Sequence, residues 1–271
     1  MVDKNIYRPD FYFNNYIVRY LFLILSLFFS ISHASEYEHD YPNVNIIAPS
    51  DLAVPLSKIA RNYSATNNID IGIVYESTDF MVDDVLSGEP IDIIITGNDK
   101  WIEQLRKDEM LNKFSISTIL SNKLAIASSY KFKIDESDQQ SLLDQIYKKV
   151  IMVIASPEAT TQGDSTKHAL TELNRWNKFQ SHVTRAPDPV IALNMLRDGN
   201  TAGIIYLTDA RLHKDKINTL KILPYEYNYK ASIVVNSNIL EATKFLDHLK
   251  THEAQNIFAS YGFNTLYLTN R

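Results

Sequence analysis

A chain of 271 residues, 45% of them hydrophobic, can bury a sizeable core as one large or two modest domains. Its 27 basic and 32 acidic side chains give a net charge of −5, which points away from nucleic acid and anionic membrane surfaces as partners. Cysteine is absent, which excludes disulfides, zinc–thiolate sites and cysteine nucleophiles, and only 7 glycines leave little material for phosphate-cradling loops.

The N-terminus is read first. Lys4, Arg8 and Arg19 precede the apolar run Tyr20 to Ser32, and Ser32-His33-Ala34 is a small-x-small site. This pattern predicts a secretory signal peptide over residues 1–34, cleaved after Ala34, and a periplasmic mature chain. The apolar run is short of the roughly 20 residues that a membrane-spanning helix needs.

Strand and helix patterns then alternate. Residues 44–48 (VNIIA) read as a buried parallel strand: short, apolar and continuous. Residues 52–66 carry Leu52, Leu56, Ile59 and Tyr63 at helical spacing. Residues 69–76 form a second strand, 79–87 a short helix stopped by Ser87-Gly88-Glu89-Pro90, and 91–96 a third strand. Gly97-Asn98-Asp99 caps a helix that runs to about Met110. The order βαβαβα predicts a parallel sheet covered by helices on both faces.

The second half repeats the pattern. Strands are expected at 123–128, 150–155, 182–186 and 202–206, with helices at 137–149, 164–176 and 189–199. Residues 156–163 read as a polar loop, 207–209 as a turn, and 219–223 and 230–236 as two further strands. Helices over 239–250 and 253–263 close the chain. No Gly/Ser/Pro-rich linker separates the two α/β units, so they are expected to share a cleft. Ligands of open α/β sheets bind at the carboxyl ends of the strands. Here those ends carry hydroxyls, amides and carboxylates.

No HExxH, GxSxG, GxGxxG or GxxxxGK[ST] motif is present, so nothing singles out an enzyme. His248 and His252 are spaced i, i+4 but lack an evident third metal ligand. The Tyr225, Tyr227, Tyr229 alternation reads as one side of a strand packed on the body of the protein.

Several segments in combination resemble the periplasmic molybdate-binding proteins of ABC transporters, the ModA family. They are SGEPIDIIITGNDKWIEQL, LSNKLAIAS, SPEATTQGDSTKHALTELNRW, ALNMLRDGNTAGIIYLTDA and EAQNIFASYGF. The similarity runs from about Val44 to Phe263. It implies the α/β type II periplasmic binding protein fold: two lobes with parallel-type sheets covered by helices, joined by two crossing strands near 121–127 and 230–236. Lobe I would comprise 35–122 plus 234–271, and lobe II 123–233. It further implies no enzymatic activity, no cofactor and no metal, a monomer, and capture of molybdate or tungstate by hinge closure for delivery to an ABC transporter permease.

Carried over position by position, the resemblance implies a ligand site at Ser50, Asp51, Ser77, Thr78, Gln162, Pro189 and Tyr206. Asp51 falls on the family's ligand serine, with Ser50 one position before it. Thr78 keeps a hydroxyl beside Ser77, Gln162 keeps a backbone N–H, and Tyr206 keeps the tyrosine hydroxyl. Pro189 falls on a residue whose N–H is a donor in the family, and proline has none. A carboxylate beside a dianion adds repulsion. Asp51 therefore admits several readings. The loop slips so that Ser50 supplies the hydroxyl and the helix starts later, with Pro55 in its first turn. Asp51 is protonated. The ligand is a different small polar solute, neutral, zwitterionic or cationic. Or Asp51 is an N-cap facing away from the cleft. A binding or sensory module acting through a protein partner is a further alternative.

Overall fold

The computed structural model describes residues 42–76, 78–135, 141–235 and 237–267. The signal-peptide expectation and Ser77 lie outside them, as do the side chains of Thr78 and Asp79.

Strand β1 (Val44–Pro49) is buried on both faces, as its unbroken apolar sequence requires, between β2 (Ile71–Glu76) and β3 (Ile93–Thr96), both parallel to it. One 3-10 turn, Ser50–Leu52, leads from β1 into α1 (Ala53–Asn67). The helix thus begins after Asp51, and Pro55 sits in its first turn, where a missing N–H costs nothing. Leu56, Ile59, Ala60 and Tyr63 form its buried stripe, and Asn68 ends it in the left-handed region at φ 52°. Helix α2 (Thr78–Ser87) stops at Gly88, and α3 (Asp99–Lys107) is capped by Asn98, whose side chain accepts the Lys100 N–H.

The second half holds α4 (Leu142–Lys149), β5 (Met152–Ala155), α5 (Thr161–Glu172), the short α6 (Trp176–Phe179), β6 (Val183–Ala186), α7 (Pro189–Asp198), β7 (Ala202–Tyr206) and α8 (Leu207–Leu212). Strand β5 runs parallel to β6 and β7. Helices α9 (Ile239–Leu249) and α10 (His252–Ser260) return to α1, and β9 (Asn264–Thr265) adds to the sheet.

Two long antiparallel strands, β4 (Ser117–Ser129) and β8 (Ile217–Ile233), join the halves. The sheet order is β2-β1-β3-β8-β4-β7-β5-β6, with β9 also pairing with β4. This α/β architecture is the type II periplasmic binding fold that the sequence implies. The expected crossing 121–127 lies within β4, and 230–233 of the other forms the end of β8.

Among the boundaries that differ from the sequence reading, three have a plain physical reason. Residues 219–223 and 230–236 are not separate strands but fall on one strand, β8, ending at Ile233. Pro224, which argues for a break, lies at the register shift where Lys123 pairs with Glu226 and Ala125 with Ile222, so it has no ladder bond to lose. Helix α5 starts at Thr161 rather than 164, because Thr160 is the cap, its hydroxyl accepting the Gly163 N–H. The expected turn at 207–209 is the first turn of α8. The central strands are packed into one core that includes Ile46, Leu56, Ile95, Leu124, Ile154, Ile204 and Phe258. At about 25 cal/mol per Å² of apolar surface, such side chains are the main stabilising term.

Candidate functional site

The carboxyl ends of β1, β2 and β7 and the helix starts that follow β5 and β6 converge on a cavity of about 330 Å³. Pro49, Ser50 and Asp51 line it from β1, and Tyr75 and Glu76 from β2. Thr160 and Thr161 line it at the N-terminus of α5, Asp188, Pro189 and Val190 at that of α7, and Tyr206 at the end of β7. The structure therefore brings together Ser50, Asp51, Pro189 and Tyr206 of the expected site. Among the described residues no Lys, Arg or His lines this cavity.

Two helix N-termini aim at it. Thr160 caps Gly163, and the Asp164 N–H donates to the Thr160 carbonyl, so the Gln162 N–H takes part in neither bond. Asp188 caps α7 through the Ile191 N–H at 2.8 Å. Pro189 occupies the first helical position. It gives up its own donor there, but Val190 follows on the cavity wall with its N–H intact. Such termini carry partial positive charge and unpaired N–H groups, the usual equipment for an anion.

The Gln162 side chain is absent from the cavity wall. It is fully buried and its amide nitrogen and oxygen have no hydrogen-bond partner. Any contribution from Gln162 must come from its backbone. Gly163 explains the tight seat of α5: a Cβ there would lie 2.1 Å from the Ser156 carbonyl oxygen. Gly97 plays the same part on the facing loop, where a Cβ would meet the Thr161 methyl at 2.8 Å. Lys100 Nζ stands 3.6 Å from Asp164 Oδ1, linking α3 to α5.

Asp51 faces inward. It does not cap α1; instead Tyr229 donates its hydroxyl to Asp51 Oδ2. Tyr227 and Tyr229 are bonded through their hydroxyls at 2.9 Å, and the Tyr206 ring lies 5.3 Å from that of Tyr227. Burial raises the pKa of Asp51 from 3.8 to about 6, against the lowering effect of the Tyr229 bond and its own N–H. Behind it lies a second pocket, lined by Asp51 and by Asp209 of α8. Burial and then the Asp51 charge push Asp209 up to about 7. Glu76 is also raised, by burial first and then by neighbouring Asp84. All three tyrosines are pushed well above 10, chiefly by burial, so they stay neutral donors.

Sequence reasoning overlooked the roles of Tyr227, Tyr229 and Asp209. The period-2 tyrosine alternation was the available signal: it puts Tyr227 and Tyr229 on one face of β8, here turned toward Asp51. His248 and His252 instead pack on the rings of Tyr63 and Tyr267.

An α/β molecule with two long crossing strands and a cavity at its strand ends has the fold of the periplasmic binding proteins. The sequence model for bacterial extracellular solute-binding proteins matches residues 44–264. The chain belongs to that family. It is 23% identical over 228 residues to the molybdate-binding protein ModA of Haemophilus influenzae, covering 82% of this chain and 89% of that one. It is 25% identical over 235 residues to ModA of Escherichia coli, covering 83% and 90%. Among solved structures, the periplasmic molybdate-binding protein of Azotobacter vinelandii superposes with a TM-score of 0.69 at 17% identity, covering 81% of this chain and 98% of that one. Membership of a family of extracellular solute-binding proteins places the chain outside the cytoplasm.

Proposed function

We propose that this protein captures a small oxyanion of the molybdate and tungstate type in the periplasm and delivers it to an ABC transporter permease. The observation that carries this reading is the pair of helix N-termini, α5 and α7, directed at one cavity together with Ser50, Thr161 and Tyr206. A desolvated dianion needs several charge-assisted hydrogen bonds, and these groups can supply them. Ser77 and Thr78, next to Glu76, belong to the same proposed site. The proposal takes residues 35–122 plus 234–271 as one lobe and 123–233 as the other, with β4 and β8 as the hinge strands. Processing at Ala34 and a monomeric state complete the proposal.

A second reading rests on Asp51 and Glu76, two carboxylates on the cavity wall with no described cation there. They would suit a neutral, zwitterionic or cationic solute. Thermal-shift measurements separate the two. The oxyanion reading expects a large rise in Tm with molybdate or tungstate. No shift at millimolar oxyanion, with a hit from a panel of amino acids, sugars and amines, would establish the second.

A further inference from the structure

The Asp51 carboxylate has one oxygen committed to Tyr229 and lies on the wall of the cavity at which the α5 and α7 termini point. An ionised carboxylate offers only lone pairs. Among the described residues, every titratable group lining the two pockets around it adds negative charge or none: Asp209 on α8, Glu76 on β2, the cap Asp188 on α7, and the tyrosines 75, 206 and 261, with Tyr227 and Tyr229 bonded behind. With Asp51 ionised, Tyr229 spends its single proton on Asp51 and Tyr227 spends its proton on Tyr229. The Tyr206 ring stands in the same cluster, 5.3 Å from that of Tyr227. The hydroxyl chain then turns its protons away from the ligand. A fully deprotonated oxyanion would meet lone pairs on this side of the cavity, at a cost in both repulsion and unmade hydrogen bonds.

We propose that this cavity takes up an oxyanion together with exactly one proton shared between the anion and Asp51, supplied either by the protonated Asp51 carboxyl or by an acidic O–H of the ligand itself. The consequence is discrimination by protonation state. Anions that keep a proton at neutral pH, the hydrogen phosphate class, satisfy Asp51 directly. Molybdate and sulfate, which do not, bind only with uptake of a proton from solvent. The inference rests on the oxyanion reading above and specifies its chemistry.

Titration calorimetry with sodium molybdate, sulfate and phosphate tests it on the mature protein between pH 6.5 and 8.5, in buffers of different ionisation enthalpy. Molybdate is expected to take up about one proton at pH 8 and to lose affinity about tenfold per pH unit, while phosphate at pH 8 binds at least tenfold tighter than sulfate. In Asp51→Asn, whose amide is neutral throughout, the molybdate pH slope should vanish. Molybdate binding that is flat with pH and takes up no proton, or sulfate binding as tightly as phosphate, overturns the shared proton while leaving oxyanion capture standing. Failure of all three anions to bind at pH 6.5 overturns oxyanion capture itself.

Discussion

The Tyr229 hydroxyl and the Asp51 carboxylate, 178 residues apart in the chain, meet in a donated hydrogen bond between a crossing strand and the first turn after β1. A bond to a charged acceptor is worth about 1.5–3 kcal/mol. Tyr229→Phe is therefore expected to lower Tm by roughly 3–10 °C at pH 8, where Asp51 is ionised. The loss should shrink at pH 5, where Asp51 is mostly protonated. Scanning calorimetry at the two pH values checks this, and an equal loss at both would show that the bond is not charge-assisted.

The direction of the pH dependence follows from the raised carboxylates. In the folded state Asp51 titrates near 6 and Asp209 near 7, against 3.8 for an unperturbed aspartate. The native state thus holds more protons than the unfolded chain between about pH 4 and 7, and stability falls as pH rises through that window. The share of Asp51 is at most about 3 kcal/mol, and part of it is the same repulsion that raises Asp209. Asp51→Asn should match the wild type in urea denaturation at pH 4 and exceed it at pH 8.

Asp51→Ser removes the carboxylate and restores a hydroxyl. Molybdate affinity at pH 8 is expected to rise at least tenfold, since a unit-charge pair at 4 Å costs about 4 kcal/mol at an effective dielectric of 20. Adding Pro189→Val should contribute little more, because Val190 already brings an N–H to that wall. An affinity unchanged in the Asp51→Ser variant would show that the carboxylate does not face the bound anion.

Gln162 and Gly163 give opposite expectations one residue apart. The Gln162 side chain is buried and unpaired, so Gln162→Met, of similar length and without the amide, should stabilise by about 1 kcal/mol, or roughly 2–4 °C in Tm. Gly163→Ala would drive a methyl into the Ser156 backbone and should destabilise by about 2 kcal/mol or more. Thermal melts of the two variants decide both.

Much of the fold was legible because its strands are short apolar runs and its helices carry periodic stripes and caps. Val44 to Ala48 read as a central strand because both faces are buried. Pro55 announced the late start of α1 by the one place a proline is tolerated. The rest depended on long-range geometry. Thr160 caps α5 ahead of the expected start because it is itself extended, at φ −138° and ψ 145°, and its hydroxyl reaches the Gly163 N–H. Pro224 escaped its usual meaning because it fell at a register shift. Asp51 was visible as an anomaly, but its partners were not: sequence distance hides the approach of Tyr229 from β8 and of Asp209 from α8.

The sheet order has a kinetic consequence. Strand β3 pairs with β8, Ile93 against Ile233, and β4 pairs with β8 from Ser117 to Ser129. Neither half can close its sheet until the last quarter of the chain arrives, so contacts are strongly non-local and folding is slow. A nascent or truncated chain that ends before Ile217 leaves open β3 and β4 edges, which invite pairing with other chains. The wall of the cavity at Asp51 is therefore a late product of the chain: its bond to Tyr229 exists only once the C-terminal crossing strand has taken its place between β3 and β4.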